Sequence, residues 1–233
     1  MSYTYMFRPA VESDLQAITD IYNASVIAGG STADLTPRSL DQRRTWVESH
    51  QPPYGVFVVE ASTTESGDAA GSGGEAGNGV GSEGIASKVV VDSGDDTGAT
   101  PSVAEDRGGM DDDANPEDST DSEEGTGDGT EVVGFGALSV FYDRAGYDGV
   151  TDLAYYIDTD WQGRGAGTFL LEQLLDEARA RHMRKACGII FADNAGSIAL
   201  MNRFGFTRFG LMPAAATDST GTMRDMSYWY LDL

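Results

Sequence analysis

One cysteine, Cys187, stands among 233 residues, which excludes a disulfide within the chain and fits a reducing compartment. Lysine is almost as scarce: Lys88 and Lys185 are the two present. No apolar run is long enough to cross a bilayer as a helix, and the N-terminus lacks the basic-then-apolar pattern of a secretion signal. The expected location is therefore cytoplasmic. The two histidines, His50 and His182, lie on polar helix ends and are isolated from each other, so no metal site is expected and neither is assigned chemistry.

Aromatic residues are missing altogether from 62–131. That stretch holds 15 of the 30 glycines and 19 of the 38 acidic residues, with two bases, Lys88 and Arg107. Its charge of −17 makes up most of the formal −23. A single short apolar patch, around Val89, Val90 and Val91, cannot bury enough surface to offset the entropy of ordering the rest. The stretch reads as a disordered, acidic, glycine-rich insertion between two strands, tolerated because loop-closure entropy grows only logarithmically with length. It could be a solvated spacer that serves solubility or a docking segment for a basic partner. The remaining 163 residues suit one ordinary domain, with twelve arginines and one lysine, Lys185. Such an acidic, lysine-poor surface resembles proteins of salt-loaded halophile cytosols, and its sign disfavours nucleic acid and anionic membranes as partners.

The periodicities give an opening strand at 3–8 and a helix over 14–27, with Ser13 and Gln16 as a capping box. A second helix follows Ser39 and runs to about 49. Strand-like runs occupy 56–60, 132–141 and 150–157, the last two joined as a hairpin by the charged, glycine-rich 142–149. The strongest helical pattern covers 165–181 and is followed by a strand at 186–192. Asn194 can cap a helix over 195–204 that ends at Gly205, and strands near 206–211 and 223–231 close the chain. This order predicts a single α/β (α+β) domain over 1–233, a mixed central sheet with helices on both faces, interrupted by the insertion.

The most informative motif is Gln162-Gly163-Arg164-Gly165-Ala166-Gly167, set between the strand-like Tyr155-Tyr156-Ile157 and the long helix. Backbone N–H groups and a helix N-terminus converge there, glycines let an anion approach the backbone, and Gln162 and Arg164 add side-chain donors. The chemistry points to a pyrophosphate. A P-loop would need Lys-Ser or Lys-Thr after the last glycine and finds Thr168-Phe169, while a dinucleotide fingerprint would need its third glycine one residue later. A bare turn without a ligand is the remaining alternative.

The pattern Gln-x-x-Gly-x-Gly at such a turn resembles the acetyl-coenzyme A signature of the GNAT acetyltransferases. The surrounding sequence is similar to phosphinothricin N-acetyltransferases in Arg8-Pro9-Ala10, Ile21-Tyr22-Asn23, Arg43-Arg44-Thr45-Trp46, Asn194-Ala195-Gly196-Ser197-Ile198-Ala199-Leu200 and Gly205-Phe206. The resemblance covers both flanks of the insertion. It implies the GNAT fold, acetyl-coenzyme A as co-substrate without a metal, a small-molecule amine as partner, and a homodimer.

By the same resemblance, residues 162–167 hold the pyrophosphate, Tyr156 and Ile157 lie on the strand that pairs with the pantetheine arm, and Asn194 and Ser197 contact that arm. Asn194 equally suits a helix cap. Asp152 occupies the position of the family's glutamate base; one methylene shorter and with a reference pKa near 3.9, it is expected to work through a bridging water. Arg144 and Tyr147 fall where relatives bind the acceptor's acidic group. The implied reaction is direct acetyl transfer to an amino acid-like amine of the phosphinothricin, methionine sulfone or methionine sulfoximine class. A polyamine, aminoglycoside or protein N-terminus is the alternative acceptor, and a non-catalytic coenzyme A-binding regulator the alternative function.

Overall fold

The computed structural model describes residues 2–64, 87–92 and 130–233. Its strands are β1 (Ser2–Pro9), β2 (Gly55–Thr64), β3 (Ser87–Asp92), β4 (Thr130–Val140), β5 (Val150–Ile157), β6 (Lys185–Phe191), β7 (Thr207–Thr217) and β8 (Met223–Asp232). They form one sheet in the order β3-β1-β2-β4-β5-β6-β8-β7. All neighbours are antiparallel except β5 and β6, which run parallel. The helices are α1 (Leu15–Ala28), α2 (Leu40–Ser49), α3 (Ala166–Ala180) and α4 (Ala195–Arg203). None is long and apolar enough to cross a membrane.

The two sheet faces carry separate cores. On one, Ile18, Ile21, Tyr22 and Val26 of α1 pack against Val56 and Val58 of β2 and Phe135 and Ala137 of β4. On the other, Leu170, Leu171 and Leu174 of α3, all fully buried, pack with Tyr5, Phe57, Leu138 and Trp229. At about 1.5–3 kcal/mol for each large apolar side chain removed from water, these two layers fix the sheet between the helix pairs.

Local signals explain most element boundaries. Ser39 and Gln42 form the reciprocal capping box that starts α2, with bonds of 3.2 and 2.9 Å. Asn194 Oδ1 accepts the Ser197 N–H at 3.0 Å and starts α4, and Gly205, at φ 75°, follows its end. The Ser13–Gln16 capping box does not form. A 3-10 turn at Glu12–Asp14 precedes α1, and Asp14 accepts the Val11 N–H at 2.8 Å while pairing with Arg8 through bonds of 2.6 and 2.8 Å. Gln16 bonds instead to Asp20. A fixed carboxylate with a cation beside it displaces a hydroxyl as the local cap.

The insertion also differs from its reading at defined places. β2 extends to Thr64 and β4 starts at Thr130, pairing Ser62 with Thr130, so both ends of 62–131 are strand. Ser87–Asp92, the apolar patch within it, pairs antiparallel with β1 as the outermost strand. The β-branched Val89, Val90 and Val91 favour that conformation. The rest of the reading concerns 65–86 and 93–129, outside the described residues.

Candidate active site

The site begins where pairing stops. β5 is hydrogen-bonded to β4 from Thr151 to Ile157, but to β6 only at Val150, Thr151 and Asp152. Beyond Asp152 the parallel strands part, leaving one backbone edge of 153–157 without a strand partner among the described residues. Buried backbone groups need hydrogen bonds, so this edge can receive an extended ligand as an added strand would be received.

A cavity of about 590 Å³ opens at the gap, lined by Tyr155, Tyr156 and Ile157 of β5, Gln162, Gly163, Gly165 and Gly167 of the turn, and Asn194 and Ser197 at the start of α4. The turn is built by its glycines: Gly163 has φ 72° and Gly165 φ 92°, backbone that side-chain-bearing residues rarely adopt. Gly165 is the residue from which α3 starts, so the first N–H groups of that helix lack intrahelical acceptors at the rim of the cavity. Gln162 Nε2 donates to Ile157 O at 3.3 Å and ties the turn to β5.

Two of the nominated turn residues take other places. Ala166 is fully buried. Arg164 does not line the cavity; its guanidinium lies over Trp161 at 5.1 Å and Tyr3 at 5.5 Å, and its carbonyl accepts the Tyr5 hydroxyl at 2.8 Å. The expected side-chain donor at 164 is thus drawn away by two aromatic faces. Asn194 takes the cap role and also lines the cavity, its Nδ2 donating to Gly30 O at 3.4 Å. Tyr155 and Arg203 line the cavity as well and were not foreseen. Arg203 in the last turn of α4 reads from sequence as an ordinary complement to the helix dipole. Tyr155 looks like any strand aromatic, yet its hydroxyl is buried, close to Ser197 and without a well-formed hydrogen bond among the described residues. Burial raises its pKa and keeps it protonated.

Asp152 sits at the last rung before the strands part. Its Oδ1 is buried and has no hydrogen-bond partner among the described residues. Burial pushes the carboxyl up to about 7, offset in part by the Leu153 N–H. A carboxyl titrating near neutrality is better matched to taking a proton from an amine than one at the reference value, while the shorter reach of aspartate is unchanged. Cys187, its register partner on β6, has a buried thiol raised to about 11 by burial and by the Asp152 charge.

Arg144 and Tyr147 part company. Tyr147 lines a second cavity, of about 540 Å³, together with Phe141, Arg184, Lys185, Cys187 and Tyr230. Arg144 does not; its guanidinium lies over the Tyr142 ring at 5.6 Å. The cations at this cavity are Arg184, which holds the turn through Asp148 O at 3.1 Å and Gly146 O at 3.3 Å, and Lys185, which pairs with Asp232 and lies 4.2 Å over the Tyr230 ring. His50 also departs from its reading as a polar helix end, because it is half-buried and bonded to Ser139 of β4 at 2.9 Å.

Comparison with known proteins agrees with this geometry. Residues 105–206 match the acetyltransferase (GNAT) family. A Bacillus subtilis protein named for phosphinothricin acetyltransferase activity is 28% identical over 209 residues, covering 90% of this chain and 88% of the relative. The L-methionine sulfoximine/L-methionine sulfone acetyltransferase of Pseudomonas aeruginosa is 31% identical over 103 residues, covering 44% of this chain and 59% of the relative. Among solved structures, a phosphinothricin acetyltransferase from Sinorhizobium meliloti in complex with acetyl-coenzyme A superposes with a TM-score of 0.62 at 22% identity, covering 97% of this chain and 87% of that one. The chain carries a GNAT acetyltransferase domain.

Proposed function

We propose that the domain moves the acetyl group of acetyl-coenzyme A to the primary amine of a small amino acid-like acceptor. The observation that carries this reading is the parting of β5 and β6 beside a buried, unpartnered carboxyl. The open edge of 153–157 and the glycine turn fit the pantetheine arm and pyrophosphate of the coenzyme, which supplies the activated acetyl group. Free N–H groups on that edge stabilise charge on the thioester oxygen as it develops. Asp152 accepts the proton the amine loses on attack, and Tyr155 donates a hydrogen bond to the departing sulfur. The acceptor approaches through the second cavity, whose aromatic walls and Arg184 suit a carboxylate-bearing compound, Lys185 there being paired with Asp232. A homodimer would cover Phe209, Leu211 and Met212, which β7 leaves exposed.

Calorimetry with acetyl-coenzyme A tests the coenzyme site: Gly165→Asp abolishes binding, since it strains a left-handed position and places a carboxylate against the pyrophosphate. Unchanged affinity in a folded variant would remove the turn from the binding site. An acceptor screen that follows free thiol release, with phosphinothricin, methionine sulfoximine and polyamines as probes, then tests the acceptor class; turnover of polyamines alone would overturn the carboxylate reading.

A further inference from the structure

Asp152 shares its strand face with a pair of residues that the reaction has not used. Ser139 is its register partner across the β4–β5 ladder. Directly opposed strand residues have Cβ atoms about 4.5–5.5 Å apart on the same face, near enough for a hydroxyl and a carboxyl to meet on protonation, although Asp152 Oδ1 makes no hydrogen bond among the described residues. Ser139 Oγ is in turn 2.9 Å from His50 Nε2. His50 Nδ1 lies 2.7 Å from Trp46 O, and a carbonyl can only accept, so the ring proton sits on Nδ1. Burial, with the charge of Arg43, lowers the His50 pKa and holds the ring neutral. Nε2 is then an acceptor, and the one proton of the Ser139 hydroxyl is committed to it. Towards Asp152, Ser139 can offer lone pairs and nothing else.

We infer that His50 and Ser139 are positioning residues that present a hydrogen-bond acceptor to Asp152, so that the site favours the carboxyl in the protonated form it reaches on accepting the amine's proton. This rests on Asp152 being the base. A hydroxyl free to donate would do the opposite, stabilising the carboxylate and weakening it as a base. The other titratable or charged groups around the pair are Arg43 on α2, and Cys187 and Lys185 on β6. The thiol remains protonated and neutral at pH 7, and Lys185 is engaged with Asp232. Neither supplies the missing partner of Asp152 Oδ1.

The arrangement predicts an unusual order of effects. Carbon-detected NMR titration of the Asp152 carboxyl in the full chain, alongside the pH profile of kcat/KM for acetyl transfer, reads it. His50→Phe keeps a ring against Trp46 but frees the Ser139 proton to turn towards Asp152, so the midpoint falls by about one pH unit, the size of a hydrogen bond to a charged group. Ser139→Ala removes the acceptor without supplying a donor and lowers the midpoint less. The double variant returns to the Ser139→Ala value. His50→Gln, whose amide oxygen can accept the same proton, keeps the wild-type midpoint.

If His50→Phe does not fold, Ser139→Thr against Ser139→Ala makes the comparison, the first retaining the midpoint and the second lowering it. A midpoint unmoved in the single variants, or an additive double variant, would overturn the inference even where thermal stability changes. The two readings fail separately. Loss of the midpoint order with Asp152 still essential to the rate sinks only the pair, whereas a dispensable Asp152 with the order intact sinks its role as base.

Discussion

Asp152 on the central strand β5 and Asp218 beside the edge hairpin of β7 and β8 are both carboxylates withdrawn from solvent, and the fold treats them in opposite ways. Asp218, fully buried near the turn between β7 and β8, accepts from Thr220 N at 3.0 Å, Thr220 Oγ1 at 2.6 Å, Thr222 N at 3.0 Å and Arg224 Nε at 2.9 Å. Those donors, led by the Thr220 hydroxyl and aided by Arg224, hold it well below the usual carboxylate range. Among the described residues Asp152 has one unpartnered oxygen and no cation bonded to it, and burial drives it the other way. A carboxylate that organises structure is saturated with donors. One kept short of donors retains a use for a proton.

The largest expected effect separates the two by rate. Asp152→Asn lowers acetyl transfer by roughly 10²- to 10⁴-fold, the usual contribution of a general base, with coenzyme affinity unchanged by calorimetry. Asp218→Asn leaves the rate per folded molecule within a few-fold. Equal losses in both, measured at matched folded fraction, would erase the distinction.

Stability sharpens it with opposite signs. Because the folded pKa of Asp152 is raised, from 3.8 to about 7, its penalty is absent below pH 4, grows between about 4 and 7 and is complete above that. Asp152→Asn should therefore stabilise the fold at pH 8 by up to about 4 kcal/mol, and not at pH 3.5, in urea titrations at the two pH values. Asp218 is depressed, so its contribution is present above the unfolded pKa and is lost as the pH falls below about 4. Asp218→Ala lowers the thermal midpoint at pH 7, and the gap narrows in acid. A gap that widens in acid would contradict the donor count around Asp218. The smallest effect is in the wild-type profile itself: kcat/KM rises with pH through an inflection near 7 that Asp152→Asn removes.

Much of this was legible in the order of residues. Ser39, Asn194, and glycines 163, 165 and 205 announced their turns because each acts through backbone groups a few residues away. The hairpin of β4 and β5 and the helix after the glycine turn followed from periodicity. What escaped was set by neighbours distant in sequence. Arg164 reads as a phosphate donor until Trp161 and Tyr3 lie beneath it, and Ser13 reads as a cap until Arg8 fixes Asp14. Arg144 reads as a clamp until Tyr142 takes its guanidinium and Tyr147 alone reaches the cavity.

The sequence by itself determined where helices and strands begin, which turn can approach an anion, and that an acid at 152 precedes that turn, since these depend on local sterics, caps and spacing. Tertiary structure alone decided what that acid is. Its pKa is set by burial between β4 and β6, at the point where β5 and β6 part, and is offset in part by the Leu153 N–H. A charge's energy depends on the dielectric and dipoles around it, and those are assembled only when distant segments of the chain come together.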